Sequence, residues 1–261
     1  RLGGLNRYDP LTDEFTTYQH VRSEETSLID NHVLSLLVDN KNQLWIGTTN
    51  GLDRFNPATQ TFVHYSYIDP ATAENNASEP SNPSDIPGKD TKTETISSRI
   101  ITTLYQDSHG RICIGTYDSG LSHVDPNSNL FTIYQHVDNR PTSISSNRVK
   151  AITEAKGGDL WVGTQQGLDL FKPESGQFKS FTHDDDNPTS IIYDSVNALM
   201  TDAAGNLWIG TDNGLARLAK DGTRFIHYRN DPSFPRSLSS NVVTSISEDL
   251  GGVLWFGTYG A

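Results

Sequence analysis

Short runs in which apolar residues alternate with polar ones extend along the whole chain, separated by turn-forming residues. Around the first tryptophan, these runs lie at about 33–38, 43–48, 52–56 and 61–66, and Gly, Asn, Asp or Pro occupies the turns between them. No stretch of 11 or more residues keeps the 3.6-residue period of an amphipathic helix. The pattern therefore predicts short β-strands throughout, four to a unit, which we name A to D in chain order.

The same pattern returns along the chain at a nearly fixed period. A pentapeptide of the form Leu-Trp-Ile-Gly-Thr marks each copy, and the spacings between successive copies of its Gly are 68, 48, 47 and 47 residues. The five copies occupy residues 44–48, 112–116, 160–164, 207–211 and 254–258. Eight residues before each Gly stands an Asp, except in the third copy, where Ala155 takes its place. A period of this length is typical of repeat architectures.

Four short strands in about 47 residues match one blade of a β-propeller. We therefore predict an all-β fold, a β-propeller of about five four-stranded blades in a single domain. The repeat units lie at about 1–48, 49–116, 117–164, 165–211 and 212–261. The large side chain of the pentapeptide is expected to fill the space between neighbouring sheets, since an aromatic ring buries roughly 150–250 Å². These packing positions are Trp45, Cys113, Trp161, Trp208 and Trp255.

The first and last units are incomplete, because the chain begins at strand C of one blade and ends just after strand B of another. The two halves either meet to close a fifth blade or remain as half-blades on either side of four whole ones. We favour the open arrangement, since an isolated partial propeller leaves sheet faces and edges that native proteins normally cover. The chain, which starts at Arg1 rather than Met, is then expected to be an arc of a larger ring.

One long insertion, residues 66–95, interrupts the repeat. Four units have 10 residues between the D-strand aromatic and the next Leu or Ile, whereas 31 separate Tyr65 from Ile96. The extra segment is rich in Pro, Asn, Ser and acidic residues, a composition that cannot bury enough apolar surface to order itself. We predict a flexible inserted loop, either a tolerated surface insertion or a lid or partner-binding segment.

Charge and composition exclude several functional classes. The 261 residues include 20 Lys and Arg against 32 Asp and Glu, a net charge of −12, which argues against nucleic acid as a partner. The segment contains no apolar run near the 18 residues of a membrane span and no signal peptide. A single cysteine, Cys113, permits no internal disulfide.

No catalytic or metal site is evident in the sequence. Five of the eight His lie one residue before or two residues after a D-strand aromatic, and D strands are the outermost strands of their blades, where equivalent positions of different blades cannot converge on one ion. Asp184-Asp185-Asp186 lacks the Gly turn and the terminal Glu of a calcium loop. A Gly-x-Ser-x-Gly elbow and a phosphate-cradling Gly loop are also missing. We therefore expect no cofactor, no metal and no catalytic residue.

The loops that join D to A and B to C gather on one face of a propeller, where ligands commonly bind. Amides, tyrosines and mixed charges on that face suit a polar ligand such as a sugar or a peptide. The candidate ligand-binding residues are His32, Asn50, Arg99, Tyr117, Asp118, Arg148, Gln165, Gln166, Asp194, Asp212, Asn241 and Tyr259.

The repeat closely resembles that of the two-component regulator propeller family. Residues 241–258 read Asn-Val-Val-x-Ser-Ile-x-x-Asp-x-Gly-x-x-Leu-Trp-Phe-Gly-Thr, and Gly214-Leu215 and Asp9-Pro10 fill two further positions of the pattern. The resemblance covers essentially the whole chain outside the insertion. The departures are Cys113 for Trp, Ala155 for Asp, and Ala219-Lys220 where Asp-Pro is usual.

This resemblance implies a sensor. In that family the repeats form large, often paired seven-bladed propellers in the periplasmic sensor region of histidine kinases, hybrid two-component systems and diguanylate cyclases. It implies a non-catalytic module on the periplasmic or extracellular side of the inner membrane that binds a small polar ligand, commonly an oligosaccharide. The parent protein would be membrane-anchored and dimeric, with a kinase or cyclase output domain.

Two interpretations from other classes stay open. One is a propeller lyase or hydrolase that resembles the streptogramin-inactivating lyases, with a metal and a His base at the mouth of the channel. The absence of a convergent set of His and carboxylate residues argues against it. The other is a scaffold propeller that binds only protein, which a ligand screen by thermal shift would separate from a small-molecule sensor.

Overall fold

The structure, a computed structural model, describes residues 3–65, 67, 91–93, 95–124 and 130–260. Most of the predicted insertion 66–95 therefore lies outside the described residues. The chain divides into two compact units, residues 1–133 and residues 134–261. Every regular element in the described residues is a β-strand, as the alternating pattern predicts.

Unit 1 contains strands β1 to β11, in three antiparallel sheets. Strands β1 and β2 form a two-stranded sheet, β3 to β6 a four-stranded sheet in chain order, and β8 to β11 a sheet that β7 extends beside β11. The strands are β1 (Leu5–Asp9), β2 (Glu14–Tyr18), β3 (Val33–Val38), β4 (Leu44–Thr48), β5 (Leu52–Asn56), β6 (Thr61–Tyr65), β7 (Thr91–Thr93), β8 (Ile101–Gln106), β9 (Ile112–Thr116), β10 (Leu121–Val124) and β11 (Phe131–Tyr134).

Unit 2 contains strands β12 to β21, in two four-stranded sheets and one two-stranded sheet, all in chain order. The strands are β12 (Val149–Glu154), β13 (Leu160–Thr164), β14 (Leu168–Lys172), β15 (Gln177–Phe181), β16 (Val196–Thr201), β17 (Leu207–Thr211), β18 (Gly214–Leu218), β19 (Phe225–Tyr228), β20 (Val242–Glu248) and β21 (Leu254–Tyr259). The blade prediction is confirmed to within a residue for β3 to β6.

The described ends of the insertion are more ordered than its composition suggests. Tyr67 and Ile96 form an isolated parallel bridge at its base. Thr91–Thr93 pairs with β11, with Phe131 opposite Thr93, and adds a fifth strand to its sheet. A polar composition did not predict this strand, because edge pairing needs only backbone donors and acceptors.

The pentapeptide packs the sheets of each unit against one another. Trp45 of β4 is fully buried in a cluster with Ile101, Leu104 and Phe131 of the next sheet. In unit 2, Trp161 packs in the same way with residues of the sheet β16 to β19. Cys113 is also buried, whereas Trp208 is half-buried and Trp255, in the two-stranded sheet β20–β21, is 63% exposed.

The Gly and Thr of the pentapeptide have separate structural roles. A Cβ on Gly163 would lie 2.5 Å from Val196 Cγ1 of the next sheet, so only Gly allows this close approach. Thr164 Oγ1 donates to the carbonyl of Gly167 at 3.1 Å and accepts the N–H of Gln166 at 3.0 Å. The same side chain thus closes the B-to-C turn.

A buried aspartate on strand C fastens the D-to-A loop in one sheet of each unit. In unit 1, Asp53 accepts the N–H of Ile29 at 2.8 Å and contacts His64 Nδ1 at 2.5 Å. In unit 2, Asp169 accepts hydrogen bonds from the hydroxyls of Ser180 and Ser145, at 2.5 and 2.7 Å. Burial raises the pKa of both carboxyls, although the hydrogen bonds oppose the shift.

Candidate functional site

Strand A of each blade, represented by β3, β8, β12, β16 and β20, carries a β-bulge near its start. The register of pairing with strand B shifts by one residue there, which leaves one extra residue on strand A. The extra residues are Leu34, Thr102, Lys150, Asn197 and Thr244. The chain thus places four kinds of side chain (Leu, Thr, Lys and Asn) at one structural position of five strands, three of which are in unit 2.

In unit 2, two of these bulge residues join a hydrogen-bonded network. Lys150 Nζ donates to Ser195 Oγ at 2.7 Å and to Asn197 Oδ1 at 2.9 Å. Ser195 Oγ donates to Asp212 Oδ2 at 2.5 Å, and Asn197 Nδ2 donates to Asp212 Oδ1 at 2.7 Å. We call Lys150, Ser195, Asn197 and Asp212 the polar cluster; Asn197 also contacts the carbonyl of Val243 on β20.

The electrostatics of the polar cluster are those of a bridged ion pair. Burial lowers the pKa of the Lys150 ammonium, the charge of Asp212 opposes that shift, and Arg148 adds to it. Burial disfavours the charged form of Asp212, but the bonds from Ser195 and Asn197 and the charge of Lys150 hold its pKa below the ordinary value. The cluster therefore presents one cation and one anion, joined by a hydroxyl and an amide.

The polar cluster keeps capacity for a ligand. An ammonium group has three N–H donors, and Lys150 uses two of them within the cluster. A carboxylate has about four lone-pair sites, and Ser195 and Asn197 donate to two of those of Asp212. Asp212 is exposed and Asn197 half-buried. A hydroxyl-rich molecule can therefore both donate to Asp212 and accept from Lys150.

Sequence reasoning found Asp212 and the neighbouring Arg148 but missed Lys150, Ser195 and Asn197. For Lys150 and Asn197 the missing signal was the bulge. A bulge changes the side of the sheet on which a residue projects, so simple alternation along the strand predicts the wrong side. Comparison of the five strand A sequences shows a variable residue between a Val or Ile and a small residue, Ser, Thr or Ala. That variable column could have marked the position, since the flanking residues change much less.

Two predicted ligand-binding residues of unit 2 accept structural hydrogen bonds, and their role in binding stays a prediction. Asp194 Oδ1 accepts the backbone N–H of His183 at 2.6 Å, and Asn241 Oδ1 accepts that of Asn230 at 2.8 Å. Both bonds tie the start of a D-to-A loop to its end. Asn31 and Asn147 accept the equivalent backbone N–H bonds in their own blade repeats. This position of the repeat therefore has a structural role in the D-to-A loop.

The remaining predicted residues of unit 2 lie at the B-to-C turns. Gln166 is exposed and Gln165 half-buried, and Tyr259 at the end of β21 is 75% exposed. They share the end of the sheets at which the polar cluster lies. Their role in binding stays a prediction.

The candidate ligand-binding residues of unit 1 each have their own surroundings. His32 is exposed, with Nδ1 at 3.1 Å from Asp30 Oδ1, and the Arg99 guanidinium lies 5.4 Å from the centre of the Tyr67 ring. Asp118 accepts the hydroxyl of Ser98 at 2.6 Å. The other two, Asn50 and Tyr117, are exposed at B-to-C turns.

In the part of the chain that the structure describes, no group of three or more His, Cys, Asp or Glu side chains is arranged to hold a metal ion. The same residues contain no helix with the length and apolar character needed to cross a membrane.

Several solved structures share this fold. The extracellular domain of BT3049, assigned as a hybrid two-component system of B. thetaiotaomicron, matches with a TM-score of 0.72 at 25% identity, over 99% of this chain and 30% of that one. The extracellular domain of BT4673 from the same organism matches with a TM-score of 0.69 at 23% identity, over 98% of this chain and 29% of that one. This chain therefore spans about 30% of the length of these structures.

A more distant likeness concerns an enzyme. Virginiamycin B lyase from Staphylococcus aureus matches with a TM-score of 0.57 at 13% identity, over 86% of this chain and 62% of that one. At this identity the likeness shows the fold alone. A comparison with curated protein sequences gave no significant match.

The family comparison agrees with the repeat and with its structure. The family described as two component regulator propeller matches residues 27–50, 143–166, 190–213 and 237–260. Each matched segment runs from the end of a D-to-A loop, through strand A, to the end of strand B. The copy in which Cys113 replaces Trp is not among the matched segments. The chain therefore carries two-component regulator propeller repeats.

Proposed function

We propose that this chain is the ligand-binding part of an extracytoplasmic sensor and catalyses no reaction itself. The likeness to the extracellular domain of a hybrid two-component system supports the sensor role and the location. The parent protein would be membrane-anchored and dimeric, with a histidine kinase or diguanylate cyclase as its output domain.

The polar cluster of unit 2 is the observation that supports the proposed class of ligand. Its hydroxyl and amide each bridge the cation to the carboxylate by hydrogen bonds, and Lys150 and Asn197 stand at the bulge positions of two neighbouring sheets. Such a set can exchange several hydrogen bonds with a polyhydroxylated molecule. We therefore propose a small polar ligand, an oligosaccharide in the first instance, that contacts Asn197 and Asp212.

A thermal-shift and calorimetric screen of oligosaccharides tests this function. A ligand at 100 times its dissociation constant stabilises the folded state by about 2.7 kcal/mol. Asn197→Ala should weaken binding about 10-fold or more, because it removes both an acceptor and a donor from the site. Thr244→Val is the matched control, since Thr244 occupies the same bulge position on β20 but lies outside the cluster.

The screen also separates the alternatives. If no small molecule shifts the melting temperature, the small-molecule sensor is contradicted and a scaffold that binds only protein is favoured. If a ligand binds equally well to wild type and Asn197→Ala, the polar cluster is not its site. We do not propose a lyase, because the likeness to virginiamycin B lyase concerns the fold alone.

A further inference from the structure

In most of the blade repeats, an aspartate side chain organises the turn between strands A and B. In the sheet β3 to β6, Asp39 Oδ1 accepts the backbone N–H groups of Lys41 and Gln43, at 2.9 and 2.8 Å. Its second oxygen, Oδ2, accepts the indole N–H of Trp45 at 2.9 Å. One carboxylate thus satisfies the turn and the buried tryptophan together.

Three other blade repeats have the same arrangement. Asp249 Oδ2 accepts the indole N–H of Trp255 at 3.0 Å, and Asp202 Oδ2 accepts that of Trp208 at 2.8 Å. In the blade repeat where Cys113 replaces Trp, Asp107 Oδ2 accepts a hydrogen bond from Arg111 Nε instead, at 2.6 Å. The carboxylate therefore keeps its place even where its side-chain donor changes.

The sheet β12 to β15 lacks this carboxylate, because its equivalent residue is Ala155. The backbone of the turn is nevertheless retained. Ala155 N donates to the carbonyl of Asp159 at 2.8 Å and Gly158 N to that of Ala155 at 3.2 Å. The turn at Asp39 has the same two bonds, both at 2.9 Å. The N–H of Asp159 and the indole of Trp161 thus occupy the positions of donors that elsewhere bind the carboxylate.

No protein acceptor replaces the missing carboxylate. Within the described ranges, neither Trp161 Nε1 nor the backbone N–H of Asp159 takes part in a hydrogen bond. Trp161 as a whole is 7% exposed, but its Nε1 is not among the fully buried unpartnered atoms of the described residues, so the indole N–H is open to the adjoining space. A donor without a protein partner in such a place favours any acceptor that can reach it.

A cavity of about 400 Å³ lies beside Trp161 and Ala155, at the turn that also contains Asp159. Trp161, Ala155 and Lys156 line one side, and the next sheet of the same unit contributes residues that include Asn206 and Lys220. This volume is within the range of small-molecule sites. Two lysines at the cavity favour an anion, although the charge of the neighbouring Asp159 opposes part of that effect.

We propose that this cavity binds a small organic monocarboxylate. Its carboxylate takes the place that an aspartate side chain fills in the other four turns, and it accepts the indole N–H of Trp161 and the backbone N–H of Asp159. Lys156 and Lys220 add charge attraction. Ala155 follows the end of β12, whereas Lys150 of the polar cluster lies near its start, so the two sites are at opposite ends of the strand.

Substitution of Ala155 by Asp is the sharpest test. Wild-type protein should melt roughly 5–10 °C higher in acetate at 100 times its dissociation constant than in chloride of equal ionic strength. Ala155→Asp supplies the carboxylate internally, so it should melt higher than wild type in chloride and lose the response to acetate. Ala58→Asp is the control for added charge, because Ala58 is exposed in unit 1, and it should keep that response.

The Trp161 indole signal in a ¹⁵N-correlated NMR spectrum gives a direct readout. It is assigned as the signal lost in Trp161→Phe, and acetate should move it downfield while the other three indole signals stay in place. Lys156→Gln with Lys220→Gln should weaken acetate binding several-fold. The proposal is overturned if the Trp161 signal does not move, or if Ala155→Asp keeps the full acetate response.

Discussion

The sheet β3 to β6 of unit 1 and the sheet β12 to β15 of unit 2 bury an aspartate at the same repeat position but pair it differently. Asp53 lies opposite His64 on the neighbouring strand, whereas Asp169 lies opposite Ser180. In the sheet β16 to β19 the same pair is Ala216 and His227, with no carboxylate at all. The D-to-A loop is nevertheless held in all three.

The comparison shows that the repeat determines the position at which side chains hold the D-to-A loop. It does not determine which types of side chain form the hydrogen bonds there. His64 Nε2 lies 2.7 Å from the carbonyl of Glu25, which can only accept, so this nitrogen carries a proton. The other ring nitrogen, Nδ1, contacts Asp53, so one imidazole bonds both the buried carboxylate and the loop. Two serine hydroxyls donate to Asp169 instead.

The largest effect is expected from removing the carboxylate that has most donors. Asp169→Ala leaves the hydroxyls of Ser145 and Ser180 and one backbone N–H without their acceptor, which should lower the free energy of unfolding by about 2–3 kcal/mol. Urea unfolding measures this change. Asp185→Ala, at a fully exposed side chain, is the control, and an equal loss in both variants would contradict the fastening role.

A smaller effect is expected from His64→Ala. Asp53 would keep the backbone N–H of Ile29 but lose its side-chain partner, and the carbonyl of Glu25 would lose its donor. We expect a loss of about 1–2 kcal/mol in the free energy of unfolding. His227→Ala is the matched control, because His227 bonds the Ser190 carbonyl but faces no carboxylate, and it should cost less.

The smallest effect concerns pH. Burial raises the pKa of Asp169 above 3.8, so the folded state binds a proton more readily than the unfolded state does. The stability of wild type relative to Asp169→Asn should therefore increase as the pH falls towards about 3.8 and be lost as the pH rises through the folded pKa. Asp53→Asn should show the same sign, because burial is the largest cause there too.

Asp212 supplies the contrast for this experiment. Its pKa lies below the ordinary value, so the stability that it contributes is present above about 3.8 and is lost as the pH falls through its folded pKa. Unfolding curves of Asp212→Asn against pH should thus show the opposite trend. Identical trends for Asp169→Asn and Asp212→Asn would rule out this account of the two carboxylates.

Much of the fold could be predicted because it depends on local and periodic features. The strand limits near Trp45, the four-stranded sheets and the packing of Trp45 and Trp161 on a neighbouring sheet follow from alternation and from the repeat. The strand at Thr91–Thr93 could not be predicted, since it depends on pairing with Phe131–Ile133 rather than on its own composition.

The candidate site was predicted less well. Asp212 was identified as a polar residue at a B-to-C turn, but Asp194 and Asn241 have structural hydrogen bonds that a sequence does not distinguish from ligand contacts. Lys150 and Asn197 were missed because a bulge changes the side on which a residue projects.

The sequence by itself determined the period, the strand order within a blade and the positions that pack one blade on the next. It also marked Ala155 as the one break in a column of aspartates. Only the tertiary structure decided what these positions do: it joined Lys150 to Asp212 across two sheets and showed that the turn at Ala155 keeps its backbone but lacks its acceptor. The physical reason is that a period constrains backbone geometry locally, whereas hydrogen-bond partners depend on distances between segments far apart in the chain.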